Sequence, residues 1–253
     1  MPQSESTNRR RTIVVGDVHG CREELEQLLA VVRYDTADDL LFLGDLLSRG
    51  PDPLGVLSIM RRTGARGVRG NHDESLLEWH AAQQSGDDNA HLGKTKRKLA
   101  EQLESADWAV LESLELWIDL PSHELRLVHA GVVPGLAMEA QPLRALLSMR
   151  YLGPHNEPIE KLGAHGEAVE KDGIVLWGRR YVGPPHVIFG HNAQREPQVH
   201  PWATGIDTGV VYGERLTAMV LEAGQRVPAP ERRAEVLFSV PARNRYYIPP
   251  ARS

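Results

Sequence analysis

An α/β fold built on a buried, largely parallel sheet is predicted by three observations. Short continuous apolar runs, as at residues 13–15 and 40–43, recur where a half-exposed sheet would show alternation. Segments with apolar residues at helical spacing follow them, and glycine-flanked polar residues stand where the runs end. In such folds functional groups collect just beyond the carboxyl ends of the strands.

The first unit is "TIVVGDVHG", a buried strand ending in Gly16, Asp17, His19 and Gly20, followed by "REELEQLLAVVR" with Leu25, Leu28, Leu29 and Val32 on one helical face. "DLLFLGD" is a second strand running into Asp45, and "PDPLGVLSIMRR" a helix entered through prolines. "ARGVRGNHD" predicts a strand running into Asn71, and "ESLLEWHAA" a third helix. Residues 83–106 weaken into a polar loop and a charged helix. "WAVLESLELWIDLPSHELRLVHAG" predicts a helix and two strands around "PSH", the second ending at His129. Residues 150–172, rich in glycine, proline and polar side chains, read as a long surface excursion. "HVIFGHN" is a strand ending at His191, and "TGIDTGVVY" and "ERLTAMVLEAG" are two further strand-like runs.

At 253 residues, 41% apolar and 25% charged, the chain can bury one substantial core. Residues 1–11 form a polar leader, 12–226 the domain, with 83–106 as a lid or cap insertion, and 227–253 a proline- and arginine-rich C-terminal segment. A net charge of -5 argues against a broad basic surface for nucleic acid and leaves room for a focal anion pocket. The single cysteine, Cys21, excludes an internal disulfide and fits a cytoplasmic protein. No apolar run is long enough to span a bilayer, and the leader lacks the apolar stretch of a secretory signal.

Five strand ends deliver metal-type ligands: Asp17 and His19, Asp45, Asn71 and His72, His129, and His191. A lone histidine is ordinarily a structural or surface group, but five such ends in order are not coincidence. In that order, "GDVHG", "GDLLSRG", "GNHD", "HAG" and "GHN" resemble the signature of the metallophosphoesterases over residues 16–192. The likeness is greatest to the branch holding the phosphoprotein phosphatases and the symmetrical diadenosine tetraphosphate hydrolases.

The resemblance implies a calcineurin-like sandwich with α/β/β/α layers and mixed sheets. It implies a first divalent ion on Asp17, His19 and Asp45, and a second on Asp45, Asn71, His129 and His191. His72 would be the general acid and Arg49 a phosphate clamp. Chemistry agrees: one shared carboxylate can hold two ions about 3.5 to 4 Å apart, and the ions lower the pKa of bound water toward about 7. Nitrogen and oxygen donors without thiolate suit manganese, with cobalt, iron, nickel or zinc as alternatives. A planar guanidinium at Arg49 can grip two phosphate oxygens.

Ser48 departs from the pattern of the protein phosphatases, which carry aspartate there to charge the catalytic histidine. A serine or threonine alkoxide needs the proton that such a histidine donates, whereas a nucleoside diphosphate leaves as a stable anion. "GDLLSRGPDPL", "GNHDESLL" and "GIDTGVVYG" also look more like the symmetrical hydrolases. The expected reaction is therefore diadenosine tetraphosphate to two ADP, with similarly capped RNA 5' ends as an extension. The alternatives are a Ser/Thr phosphoprotein phosphatase and a non-enzymatic nucleotide sensor. "LWGRR" resembles a family segment with a second phosphate-contacting arginine, assigned to Arg179. "KTKRK", residues 94–98, reads first as a solvated helix face and second as part of a lid reaching distal phosphates.

Overall fold

The computed structural model describes residues 10–87, 90–160, 170 and 172–249. Most of the polar leader, the middle of the 150–172 excursion and the last four residues lie outside them. The elements in chain order are β1 (Thr12–Val15), α1 (Arg22–Val31), β2 (Asp39–Phe42), α2 (Pro53–Thr63), β3 (Arg66–Gly67), α3 (Asn71–Ser85), α4 (Lys94–Ala100) and α5 (Ser105–Glu112). They continue with β4 (Trp117–Leu120), β5 (Leu125–Val128), α6 (Leu143–Ser148), β6 (Tyr151–Leu152), β7 (Pro158–Ile159), β8 (Val175–Leu176) and β9 (His186–Phe189). The last are β10 (Gln198–Val199), β11 (Ala203–Gly205), β12 (Arg215–Leu221) and β13 (Leu237–Pro241).

Two five-stranded sheets form the centre, ordered β13-β12-β1-β2-β3 and β10-β11-β9-β5-β4. The first is parallel from β1 through β2 to its edge at β3 and antiparallel through β12 and β13, and the second is parallel in its middle, β5–β9–β11, with antiparallel β4 and β10 at its flanks. The largely parallel sheet expected from the apolar runs is thus two mixed sheets.

Their packing explains why the runs are continuous. Val14, Leu41 and Leu43 of the first sheet face Ile118, Leu127 and Ile188 of the second, while Ile13, Val15, Leu40 and Phe42 turn the other way onto Leu25, Leu28, Val56 and Met60 of the helices. On the far side Val128, Val187 and Phe189 pack against Leu146, Met149 and Trp177. Both faces of each sheet are covered, giving α/β/β/α layers, and no alternation survives.

Three local readings change. The third helix begins at Asn71, so Asn71 and His72 sit on its first turn and not on a strand, because Gly70 is extended and Asp73 takes its N–H. The excursion contains β6 and β7, which form a small sheet with β8 just beyond it, and Tyr151 and Leu152 are buried. "TGIDTGVVY" keeps only β11 as strand and turns at Val210–Tyr212. The C-terminal segment supplies β13 as the first sheet's edge strand, and Tyr246 Oη donates to buried Glu24 at 2.7 Å.

Candidate metal centre

The carboxyl ends of β1, β2, β5 and β9 and the first turn of α3 meet at one place. Donor atoms of Asp17, His19 and Asp45 lie within 4.8 Å of one another, all buried. Asp45 Oδ2 is 3.6 Å from His19 Nε2, and its Oδ1 is 3.7 Å from His129 Nε2. Asn71 Oδ1 lies 3.2 Å from His129 Nε2 and 3.0 Å from His191 Nδ1. All six sequence-predicted ligands are brought together around Asp45.

The loops are bent to achieve this. His19, Asp45, Arg49 and His191 all have positive φ, 50°, 49°, 79° and 63°. Non-glycine residues rarely adopt this conformation, and it collects at functional sites. Close approach also demands glycine: a Cβ at Gly190 would overlap Asp17 Oδ1, and one at Gly70 would overlap the backbone of Asp45. Backbone donors hold the carboxylates. His191 N–H donates to Asp17 at 3.1 Å, and His72 N–H, in the exposed-amide turn of α3, donates to Asp45 Oδ1 at 2.8 Å.

The donor set fits cations. His129 Nδ1 donates to the Leu43 carbonyl at 2.7 Å, so in the neutral ring Nε2 carries its lone pair toward Asp45 and Asn71, both of which present oxygen. Among the described residues His19 Nδ1 is buried without a hydrogen-bond partner. Burial, then Asp207 and Asp45, pushes the Asp17 carboxyl well up, while His72, His129 and His19 hold Asp45 low against its own burial. Burial drives His19 and His191 well below the usual histidine range, keeping them neutral as ligands must be. Lone pairs converging on a buried point are what a divalent pair would satisfy.

Around this point stand the polar groups. Ser48 Oγ is 2.7 Å from His72 Nδ1. Burial, with the charges of Arg49 and Lys96, lowers His72 to about 4. Arg49 donates to Tyr212 Oη at 2.7 Å, and its guanidinium carbon is 5.0 Å from the Tyr247 ring centroid, so the C-terminal segment reaches the site.

Among the described residues no contact joins Arg179 to the six ligands. It pairs with Glu170 at 2.9 Å, is largely exposed, and acts on His200. Arg150, at the entry to β6, acts on the centre by charge: it bears on His191 and Asp207, and among the described residues its buried Nε has no partner.

Two buried carboxylates also escaped the sequence reading, though both lie in quoted motifs. Asp73 of "GNHD" accepts from the backbone N–H of Asp45, Leu46 and Gly70, and so ties the Asp45 loop to α3. Burial and Asp45 nonetheless push its carboxyl up to about 7. Asp207 of "GIDTG" accepts from Gly209 N–H and is pushed up to about 6, chiefly by burial.

Comparison with known proteins decides the family: the model of the calcineurin-like phosphoesterases matches residues 10–202. The chain belongs to the calcineurin-like phosphoesterase family. This is a dinuclear, metal-dependent hydrolase family, and the buried Asp17, His19 and Asp45 cluster is in keeping with it. A symmetrical bis(5'-nucleosyl)-tetraphosphatase of Shewanella baltica is 39% identical, the match covering 84% of this chain and 95% of the relative. An asymmetrical bis(5'-nucleosyl)-tetraphosphatase of Oceanobacillus iheyensis is 26% identical over 81% of this chain and 86% of its own length. Serine/threonine-protein phosphatase 1 of Salmonella typhimurium is 28% identical over 84% and 93%. A crystal structure provisionally described as a diadenosine tetraphosphatase superposes with a TM-score of 0.74 at 31% identity, covering 96% of this chain and 97% of that one. Among the described residues no helix is long and apolar enough to cross a membrane.

Proposed function

We propose that this phosphoesterase hydrolyses phosphoanhydride bonds and cleaves diadenosine tetraphosphate at its centre into two ADP. The observation that carries the reading is the 2.7 Å contact between Ser48 Oγ and His72 Nδ1. A carboxylate at that point would hold the imidazole protonated; a hydroxyl does not, and His72 at about 4 is neutral at neutral pH. Such a site is short of protons for an alkoxide and suited to a leaving group that departs as an anion.

Asp17, His19 and Asp45 would hold one divalent ion, and Asp45, Asn71, His129 and His191 the other, with manganese the favoured metal. When bound, the pair supplies Lewis-acid activation of water and of phosphoryl oxygens. The chain does the rest. Arg49, held by Tyr212 and the Tyr247 ring, presents its guanidinium to the non-bridging oxygens of the reacting phosphate, and Arg150 adds charge from the β6 side. With Ser48 Oγ donating to Nδ1, the proton of neutral His72 stands on Nε2, a hydrogen-bond donor for the bridging oxygen. RNA 5' ends capped through the same anhydride are an extension of this substrate class. Likeness to named tetraphosphatases, including the 39% identical relative, supports the reading.

The test incubates metal-stripped protein, reloaded with manganese, in parallel with diadenosine tetraphosphate, a phosphopeptide and p-nitrophenyl phosphate, and resolves the products by chromatography. ADP as the sole nucleotide product is the expected result. AMP with ATP would point to asymmetrical cleavage, and phosphate from the peptide with the dinucleotide intact to a protein phosphatase.

A further inference from the structure

The cluster "KTKRK" on α4 divides into two kinds of lysine and arginine. Lys94, Arg97 and Lys98 are exposed, and Arg97 faces Glu101 across the helix surface at 3.8 Å. Lys96 shares a face with buried Leu99 and is itself half-buried. Its ammonium donates to Ser75 Oγ, and Ser75 Oγ donates to the His72 carbonyl at 2.8 Å. The cation therefore rests one link from the turn that carries Asn71 and His72.

Among the described residues no carboxylate pairs with Lys96. Asp45 and Asp73 act on it only through space, and burial lowers its pKa. A half-buried ammonium with one hydroxyl partner keeps two donors for an anion. Its link runs to the turn that carries His72, the donor to the bridging oxygen in the anhydride reading.

We propose that Lys96 forms a leaving-group subsite, binding a phosphate beyond the scissile bond and so selecting polyphosphate chains over phosphomonoesters. The proposal rests on the anhydride reading above. It complements the Ser48 departure: with a hydroxyl and not a carboxylate beside His72 Nδ1, charge developing on the leaving group is met by a fixed cation. Lys96 is thus a substrate-binding residue in a helix whose other basic side chains are solvated.

The experiment measures inorganic phosphate and tripolyphosphate as inhibitors of p-nitrophenyl phosphate turnover, at fixed free manganese, in wild type, Lys96→Met, Lys96→Gln and Lys96→Arg. Isothermal titration of both anions into the same proteins, and thermal melts, accompany it; Arg97→Ala is the surface control. Loss of a charge-assisted contact predicts that both neutral variants weaken tripolyphosphate by roughly 10- to 100-fold while phosphate is unchanged. Lys96→Arg should recover most of that loss. Equal weakening of both anions, or no change in their ratio, would overturn the proposal. Failure to cleave diadenosine tetraphosphate would instead remove the anhydride reading, since the anion ratio is measured without a dinucleotide.

Discussion

Ser48→Asp places a carboxylate beside His72 Nδ1, where the serine Oγ now lies at 2.7 Å. In the native protein His72 is lowered to about 4, so at pH 7 about one ring in a thousand carries the extra proton. An opposite charge in contact raises such a pKa by about 1 to 3, which enlarges the protonated fraction by about tenfold to several hundredfold. Hydrolysis of a phosphoserine peptide needs that proton for its alkoxide and should rise with the fraction. Hydrolysis of diadenosine tetraphosphate should not rise, and the new negative charge opposes its polyphosphate chain. The assay is kcat/KM for both substrates in wild type, Ser48→Asp and the neutral control Ser48→Asn. The ratio of monoester to anhydride cleavage should climb by about tenfold or more in Ser48→Asp alone. The alkaline limb of the peptide pH profile should move to higher pH, because protonated His72 survives further. An unchanged ratio in a folded Ser48→Asp protein would refute the leaving-group reasoning.

Arg150→Ala should lower kcat/KM for the dinucleotide by about 10- to 100-fold, the worth of a charge-assisted phosphate contact, while Arg179→Ala stays within about twofold of wild type. Steady-state kinetics on the pair decides which arginine serves the site. In metal-free protein the stability of wild type relative to Asp73→Asn should fall as pH rises from about 6.5 to 8. The comparison cancels the buried histidines, which bind protons only in the unfolded state up to about pH 7.5 and so act in the opposite sense, and leaves the carboxyl that loses its proton only in the folded state. For an acid whose folded value lies above its unfolded one, stability falls as pH climbs through the folded value. Asp73, at about 7, contributes about 1 kcal/mol to that fall. Calorimetry of both proteins across the window checks it, and a pH-independent difference between them would contradict the crowding of carboxylates around Asp73.

What was legible in the sequence was legible because metal chemistry limits residue types. Asp17, His19, Asp45, His129 and His191 could be read at strand ends because each follows an apolar run and stands beside a glycine that the loop geometry requires. Asn71 and His72 were found, but on the wrong element: a two-residue β3 and an extended Gly70 leave no periodicity to mark where α3 starts. Arg150 was hidden because β6 is only two residues long and its partners β7 and β8 lie at a distance in sequence. Nothing local separates Lys96 from its neighbours in "KTKRK"; its burial depends on how α4 docks against α3. The approach of Tyr247 to Arg49 joins residues from opposite ends of the chain, which pattern reading does not address.

The account depends most directly on two ions sharing Asp45. Titration of metal-free protein with manganese, with bound metal counted by elemental analysis after gel filtration, should give two ions per chain in wild type and one in His19→Ala. Asp45→Ala should hold neither tightly. One ion in wild type, or two that persist without Asp45, would contradict a dinuclear centre built at these strand ends.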